Sequence, residues 1–283
     1  MLDLDSYCAR IGYDGPRTPT IETLRAVLGA HAAAIPFEAI DVLLGRGVDL
    51  SPQAVDAKLI GQRRGGYCFE QNALFKRALT ALGFQVEGLL CRSRWMTPPE
   101  QLPRPRTHMA LRVSLQGEAW LADVGYSSVG LPAPLRFEFD RPQPTPHEAF
   151  RLTAQGDETL LEADLGDSWA PVYELPAAPA LDIDFLTPNW FTSTHPDSNF
   201  RQNLIVGRTT PTSRHTLLNN RLRVRTPGVG VREEHLDADQ LEAVLADAFG
   251  LPVSPDWRPV LEQAVAAGAR AALTIPPEQS DKP

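Results

Sequence analysis

No run of this sequence is apolar enough, for long enough, to cross a membrane. Nor does it open with the basic segment and apolar core of a secretory leader, since Met1-Leu2-Asp3-Leu4-Asp5 is acidic. Cysteine is scarce. Cys8, Cys68 and Cys91 are odd in number and widely spaced, which excludes a disulfide framework and a zinc-ribbon spacing. No fourth ligand completes a Cys/His/Asp metal site, so no metal is expected. Basic charge is in deficit: 27 Lys and Arg against 35 Asp and Glu give a net charge of -8. A nucleic-acid partner is therefore not expected. An anionic ligand has to be held by a local basic patch or by backbone amides. Gly228-Val229-Gly230 lacks the third glycine of a dinucleotide site, and there is neither a Walker segment nor an internal repeat. What remains is an ordinary globular composition, 43% hydrophobic and 22% charged over 283 residues. The expected location is the cytoplasm, where a free thiol persists.

The first ninety or so residues read as helices. Thr18-Pro19 predicts one start, with Ile21, Leu24, Val27, Leu28 and His31 on one face, and Ile35-Pro36-Phe37 ends it. Ser51-Pro52 predicts a second helix, and a third follows Cys68 and ends near Gly83. Short alternating segments then predict strands at 86–91, 107–115, 119–126, 150–154, 159–163, 172–175, 203–206, 215–218 and 221–225. Pro132, Pro134, Pro142, Pro144 and Pro146 mark a loop too rich in proline for a central strand. Helices return after Asp237, which forms a capping-box pattern with Gln240, and a last helix covers roughly Pro259–Leu273 before a disordered tail from Pro276. Helices, then strands, then helices predict an α+β fold.

One segment carries chemistry. In Arg63-Arg64-Gly65-Gly66-Tyr67-Cys68-Phe69-Glu70-Gln71-Asn72 a cysteine follows two glycines and an aromatic, and a helical pattern begins at once. The positive end of a helix favours thiolate, the reactive form. Glycines let the backbone or a substrate approach the sulfur. A cysteine nucleophile needs a base, and the base needs an orienting group. His108 begins a strand whose apolar face is Met109, Leu111, Val113 and Leu115. A turn at Gln116-Gly117 that pairs residues with numbers summing to about 233 puts Asp123 diagonally beside His108 on the same face. A slip of one residue would move Asp123 to the other face. Cys68, His108 and Asp123 then form a nucleophile, a base and an orienter.

The chain resembles the arylamine N-acetyltransferases. The matching pieces are Ile35-Pro36-Phe37-Glu38, the segment from Arg64 to Asn72, Thr107-His108-Met109, Asp123-Val124-Gly125-Tyr126 and Asn189-Trp190-Phe191-Thr192-Ser193-Thr194-His195-Pro196. The resemblance implies an N-terminal helical bundle (1–90), a central antiparallel β-barrel (91–200) and a C-terminal α/β lid (201–283) around a cysteine-protease-like catalytic core. It implies a ping-pong acetyl transfer from acetyl-CoA, a cosubstrate and not a bound cofactor, through acetyl-Cys68 to arylamines or hydrazines, and a place in xenobiotic metabolism. The same constellation serves amide synthesis from a biosynthetic acyl thioester, and thiol hydrolases. Phe37, Phe69 and Tyr126 are candidates for an apolar amine slot. Thr107, Tyr126, Ser127 and Phe200 are candidate coenzyme neighbours on the resemblance alone. The family often has asparagine and glycine where Ala39 and Ser127 stand here. A monomer or a homodimer is expected. The bland readings are a satisfied core position for His31, a turn position for His195, and surface or loop positions for His147, His215 and His235. Arg63 and Arg64 read as solvated flanks, with loop-holding pairs to Glu38 or Glu70 and phosphate contact as equal alternatives.

Overall fold

The computed structural model describes residues 2–274, so the tail expected from Pro276 lies outside the described residues. The first helix, α1 (Leu4–Ile11), is one that the acidic start conceals. Asp3 caps it by accepting from the Asp5 and Ser6 amides at 3.1 Å, and Tyr7, Cys8 and Ile11 face inward. The next, α2 (Ile21–Ala34), starts later than Thr18-Pro19 predicts, because the cap is Thr20, which accepts from the Thr23 amide at 3.3 Å. The chain continues through β1 (Phe37–Glu38), α3 (Ile40–Leu43), α4 (Pro52–Asp56, capped by Ser51) and α5 (Cys68–Ala81).

Seven strands follow: β2 (Gln85–Ser93), β3 (His108–Leu115), β4 (Glu118–Ala122), β5 (Leu135–Arg136), β6 (Phe150–Gln155), β7 (Glu158–Asp164) and β8 (Trp169–Leu175). They form one antiparallel sheet in the order β5-β4-β3-β2-β8-β7-β6. The proline-rich loop nearly closes it into a barrel. Its backbone runs from β5 and reaches β6 through the Asp140 amide on the Leu152 carbonyl (2.8 Å) and a mutual pair between Gln143 and Phe150 (2.7 and 3.0 Å). Proline leaves too few donors for a regular strand here, yet the free donors are enough for these bridges.

The predicted β3–β4 register is observed. Leu111 pairs with Ala122 and Leu115 with Glu118. Gln116 (φ 53°) and Gly117 (φ 82°) are both left-handed, as a two-residue type I′ hairpin turn requires. Met109, Leu111 and Val113 pack on the helical core, whereas Ala110 faces the barrel interior. β4 is shorter than predicted. It ends at Ala122, and Asp123–Tyr126 leave the ladder to pass over the start of α5.

After α6 (Leu186–Thr194) and α7 (Asn199–Gln202) come β9 (Ile205–Thr209), β10 (Arg214–Leu218), β11 (Arg221–Thr226) and β12 (Gly230–His235), then α8 (Ala238–Asp247) and α9 (Arg258–Thr274). This sheet takes in β1 beside β9, Phe37 opposite Gly207, so a piece of the helical region belongs to it.

His31 is a satisfied core histidine. It is fully buried, with Tyr7 Oη on Nδ1 at 2.8 Å and Gln71 Oε1 on Nε2 at 2.7 Å. Burial pushes it down to about 4. The unfolded chain therefore takes up a proton below about 6.5 that the folded chain refuses. Stability falls as pH drops from about 6.5 to about 4, by on the order of 3 kcal/mol from this one group. Urea midpoints at pH 7 and pH 4.5 will converge in His31→Gln relative to the native chain.

Candidate active site

Cys68 is the first residue of α5, and its side chain is nearly buried at 4% exposure. The loop before it is framed by the Ile35–Glu38 segment. The Glu38 amide donates to Gly66 O at 3.1 Å, the Gly66 amide to Pro36 O at 3.3 Å, and Gln71 Nε2 to Pro36 O at 2.8 Å. Gly65 is required by this approach, since a Cβ there would lie 2.1 Å from Pro36 O. On the other side Gly125 rides directly on the cysteine: a Cβ there would stand 2.6 Å from Cys68 Cα and 2.6 Å from Asn72 Nδ2. The strand leaving the barrel therefore seats on α5 backbone to side chain with no gap.

That seating delivers Asp123, which is wholly buried. Asp123 Oδ2 lies 2.7 Å from His108 Nε2. Asp123 Oδ1 accepts from Asn72 Nδ2 at 2.9 Å and from the Gly125 amide at 2.8 Å. Asn72 also donates to Met109 O (2.7 Å) and accepts from the Val124 amide (3.2 Å). Sequence reasoning leaves Asn72 without a role. Its signal is position: one turn beyond Cys68, it shares the nucleophile's face of α5.

Burial opposes a charge on His108, but the Asp123 carboxylate and its hydrogen bond, followed by the hydrogen bond and charge of Cys68, more than offset it. The imidazole is pushed up to about 10. With Nε2 committed to Asp123, Nδ1 is the ring nitrogen left for the sulfur. Cys68 Sγ also lies 3.6 Å from Thr107 O. Tyr126 and Tyr173 pack on the ring, with centroids at 4.9 and 4.8 Å, and on each other at 5.4 Å.

The other sequence-predicted positions divide. Phe37 and Tyr126 line a shared cleft with Ile35, Asp123, Leu131 and Thr209. Phe69 does not reach it: the side chain is fully buried between Tyr67 and Phe185. Phe200 packs on Phe37 and Tyr67, with centroids at 5.8 and 5.9 Å. Thr107 reaches Cys68 through its carbonyl, and Ser127 is half-buried against β9 at Gly207.

Behind the loop lies a buried charge cluster. Arg64 holds Glu38 (Nε–Oε1 2.9 Å) and Asp41 (3.1 Å), while Lys58 holds Glu70 (2.7 Å) and Asp41 (3.1 Å). Glu70 Oε2 accepts from the Tyr67 amide at 3.0 Å, which caps α5. Burial opposes the Lys58 charge, but Glu38, Glu70 and Asp41 outweigh it and raise its pKa. The guanidinium of Arg64 also stacks 4.7 Å from the Trp257 ring. Arg64 thus takes the loop-holding reading, in concert with Arg10, which donates to the Leu59, Ala34, Arg63 and Arg64 carbonyls at 2.8–3.3 Å.

The arrangement is a thiol at a helix start, a cationic imidazole beside it and a carboxylate fixing that imidazole. It suits covalent acyl transfer. Residues 20–258 match the family model described as N-acetyltransferase. An arylamine N-acetyltransferase of Mycolicibacterium smegmatis is 40% identical over 256 residues, covering 88% of this chain and 92% of its own. One of Escherichia coli (strain K12) is 40% identical over 252 residues, covering 88% and 89%. Among solved structures, the M. tuberculosis arylamine N-acetyltransferase superposes with a TM-score of 0.88 at 36% identity, covering 93% of this chain and 99% of its own. The Mycobacterium marinum arylamine N-acetyltransferase in complex with CoA gives 0.88, 36%, 93% and 98%.

Proposed function

Because the chain belongs to the arylamine N-acetyltransferase family, we propose that it moves an acetyl group from acetyl-CoA to the nitrogen of arylamines or hydrazines through acetyl-Cys68. The observation that carries this is the buried His108–Asp123 pair at 2.7 Å, seated against the helix start that bears the thiol.

The steps balance within these residues. With His108 protonated, Cys68 reacts as thiolate and attacks the thioester carbonyl. The carbonyl's bond to coenzyme sulfur breaks, and the departing thiolate takes the His108 proton. One thioester replaces another, so little energy is lost. Acetylation also removes the sulfur's charge and hydrogen bond, two of the supports for the His108 proton. The imidazole is then free to act as base. An amine attacks acetyl-Cys68, His108 takes its proton, and Cys68 leaves as thiolate, which restores the starting pair. Amides in the first turn of α5 have no intrahelical acceptor, so that of Cys68 can receive the developing oxyanion. A neutral aromatic amine needs no counter-charge; Phe37 and Tyr126 are its candidate walls, and the space of about 20 Å³ that they line with Asp123 has to widen to admit it. Xenobiotic amines in the cytoplasm suit this chemistry, a compartment consistent with three unpaired cysteines.

Incubation with acetyl-CoA alone, followed by peptide mapping, will find one acetyl group, on the Cys68 peptide and not on those of Cys8 or Cys91. Adding an aromatic amine will discharge it. Absence of the adduct, or its appearance only on the other cysteines, removes the reading.

A further inference from the structure

The turn after Asp123 carries Tyr126, which packs on His108 and lines the cleft. Tyr126 Oη is tied to the barrel by Ser93 Oγ (2.8 Å) and Val172 O (3.2 Å), and Val129 and Leu131 pack in the barrel core. Among the described residues, however, no hydrogen bond within the turn holds its far end, the Gly130 carbonyl. That end is held from a distance. Gly130 O accepts from Arg214 NH2 at 3.0 Å, and Arg214 NH1 binds Glu148 at 2.6 Å. Both side chains are buried, 3% and 2% exposed. Arg214 comes from β10 and Glu148 from the end of the proline-rich loop, so three distant segments meet at one guanidinium. The turn is also seated on bare backbone: a Cβ on Gly207 would lie 2.7 Å from Ser127 O.

The pair is poorly satisfied. Arg214 Nε and Glu148 Oε2 have no hydrogen-bond partner among the described residues, and Arg225 reaches Glu148 only at 3.9 Å. A buried ion pair with open valences is weak support for stability, and apolar replacements of similar volume are often neutral. Its directed bond goes to the Gly130 carbonyl. From this we propose that Arg214 is a positioning residue for acetyl transfer: braced by Glu148, it fixes Gly130 and so sets where Tyr126 meets His108 and how wide the cleft stands.

This rests on the reading of Cys68 and His108 given above. The test uses Arg214→Lys and the double variant Arg214→Met/Glu148→Met. The double variant keeps volume and leaves no orphan charge. Rates are counted per Cys68 labelled by iodoacetamide. The double variant will fold, raise KM for the amine about tenfold and lower kcat about tenfold, since misplacements near 1 Å carry penalties of up to about 10²-fold. Arg214→Lys, which keeps the charge but not the fork, will fall between. A purely structural role would lower the folded fraction, open the buried Cys8 and Cys91 to the label as well, and leave KM unchanged. The alkylation rate of Cys68 and its pH profile will shift in the same variants, and this measurement needs no acetyl-CoA. A native chain that forms no acetyl-Cys68 therefore fails the functional reading alone, and alkylation still decides this one. Native constants and a native alkylation profile in the double variant overturn the proposal. So does failure of both variants to fold.

Discussion

Asp123→Asn lowers kcat/KM for acetyl transfer by about 10³–10⁴-fold, the scale seen when an orienting carboxylate is neutralised in other triads. The reason lies in the donors around it. Asn72 Nδ2 and the Gly125 amide both point at Oδ1, so the oxygen of an asparagine must stay there. Its NH2 then faces His108 Nε2, where the native carboxylate accepts. The imidazole has to accept at Nε2 and carry its proton on Nδ1, the nitrogen meant for the sulfur. Geometry survives and the tautomer is wrong. The substitution has a second signature. His108 titrates near 10 in the folded chain and near 6.5 unfolded, so its contribution to stability is complete below about 6.5 and is lost as pH rises toward 10. The asparagine variant lacks that alkaline loss. Rates across pH, with urea midpoints at pH 6 and 9.5, measure both. More than a tenth of native activity, or an unchanged alkaline loss, rules out the assigned role.

Arg64→Met costs about 3–5 kcal/mol of stability, because it leaves a buried carboxylate without its partner. Glu38 is fully buried, and the remaining cation, Lys58, stands 3.9 Å away. The variant also gives up the stacking on Trp257. Removing both partners, Arg64→Met with Glu38→Met, will cost less than the single change, since no charge is then stranded. Urea unfolding of the two variants decides this. A loss below about 1 kcal/mol in Arg64→Met means the cluster is wetter than the structure places it.

What could be read in advance follows local rules. Gln116-Gly117 supplied a turn whose geometry dictates the β3–β4 register, and from the register came the neighbourhood of His108 and Asp123. Ser51-Pro52 and the Asp237–Gln240 box mark helix starts because caps are satisfied within three residues. The losses have physical reasons too. β1 and β5 are two residues long and carry no period. β12 is exposed along its whole length, so no alternation reveals it. The helix α1 did leave a signal, an aspartate cap with Leu4, Tyr7, Cys8 and Ile11 at helical spacing, masked by reading the acidic start as a whole. In the site, Cys68, His108 and Asp123 follow from spacing and turn chemistry. The bracing by Asn72 and the Lys58–Arg64 cluster joins residues that no sequence period links. Phe69 had the right chemistry for a substrate wall, but its position on α5 points it into the helical core.

The two-residue pairing of β1 with β9 also concerns how the polypeptide is born. Phe37 finds its partner Gly207 only when most of the chain has left the ribosome. At roughly 5–20 residues per second, that wait is about 10–35 s. During it the segment that frames the cysteine loop has no sheet to join. Asp123 and Gly125, which complete the site, emerge in the same interval. The nascent N-terminal region thus carries its reactive sulfur without the imidazole and carboxylate that arm it, and nucleophilicity arrives only with the later part of synthesis.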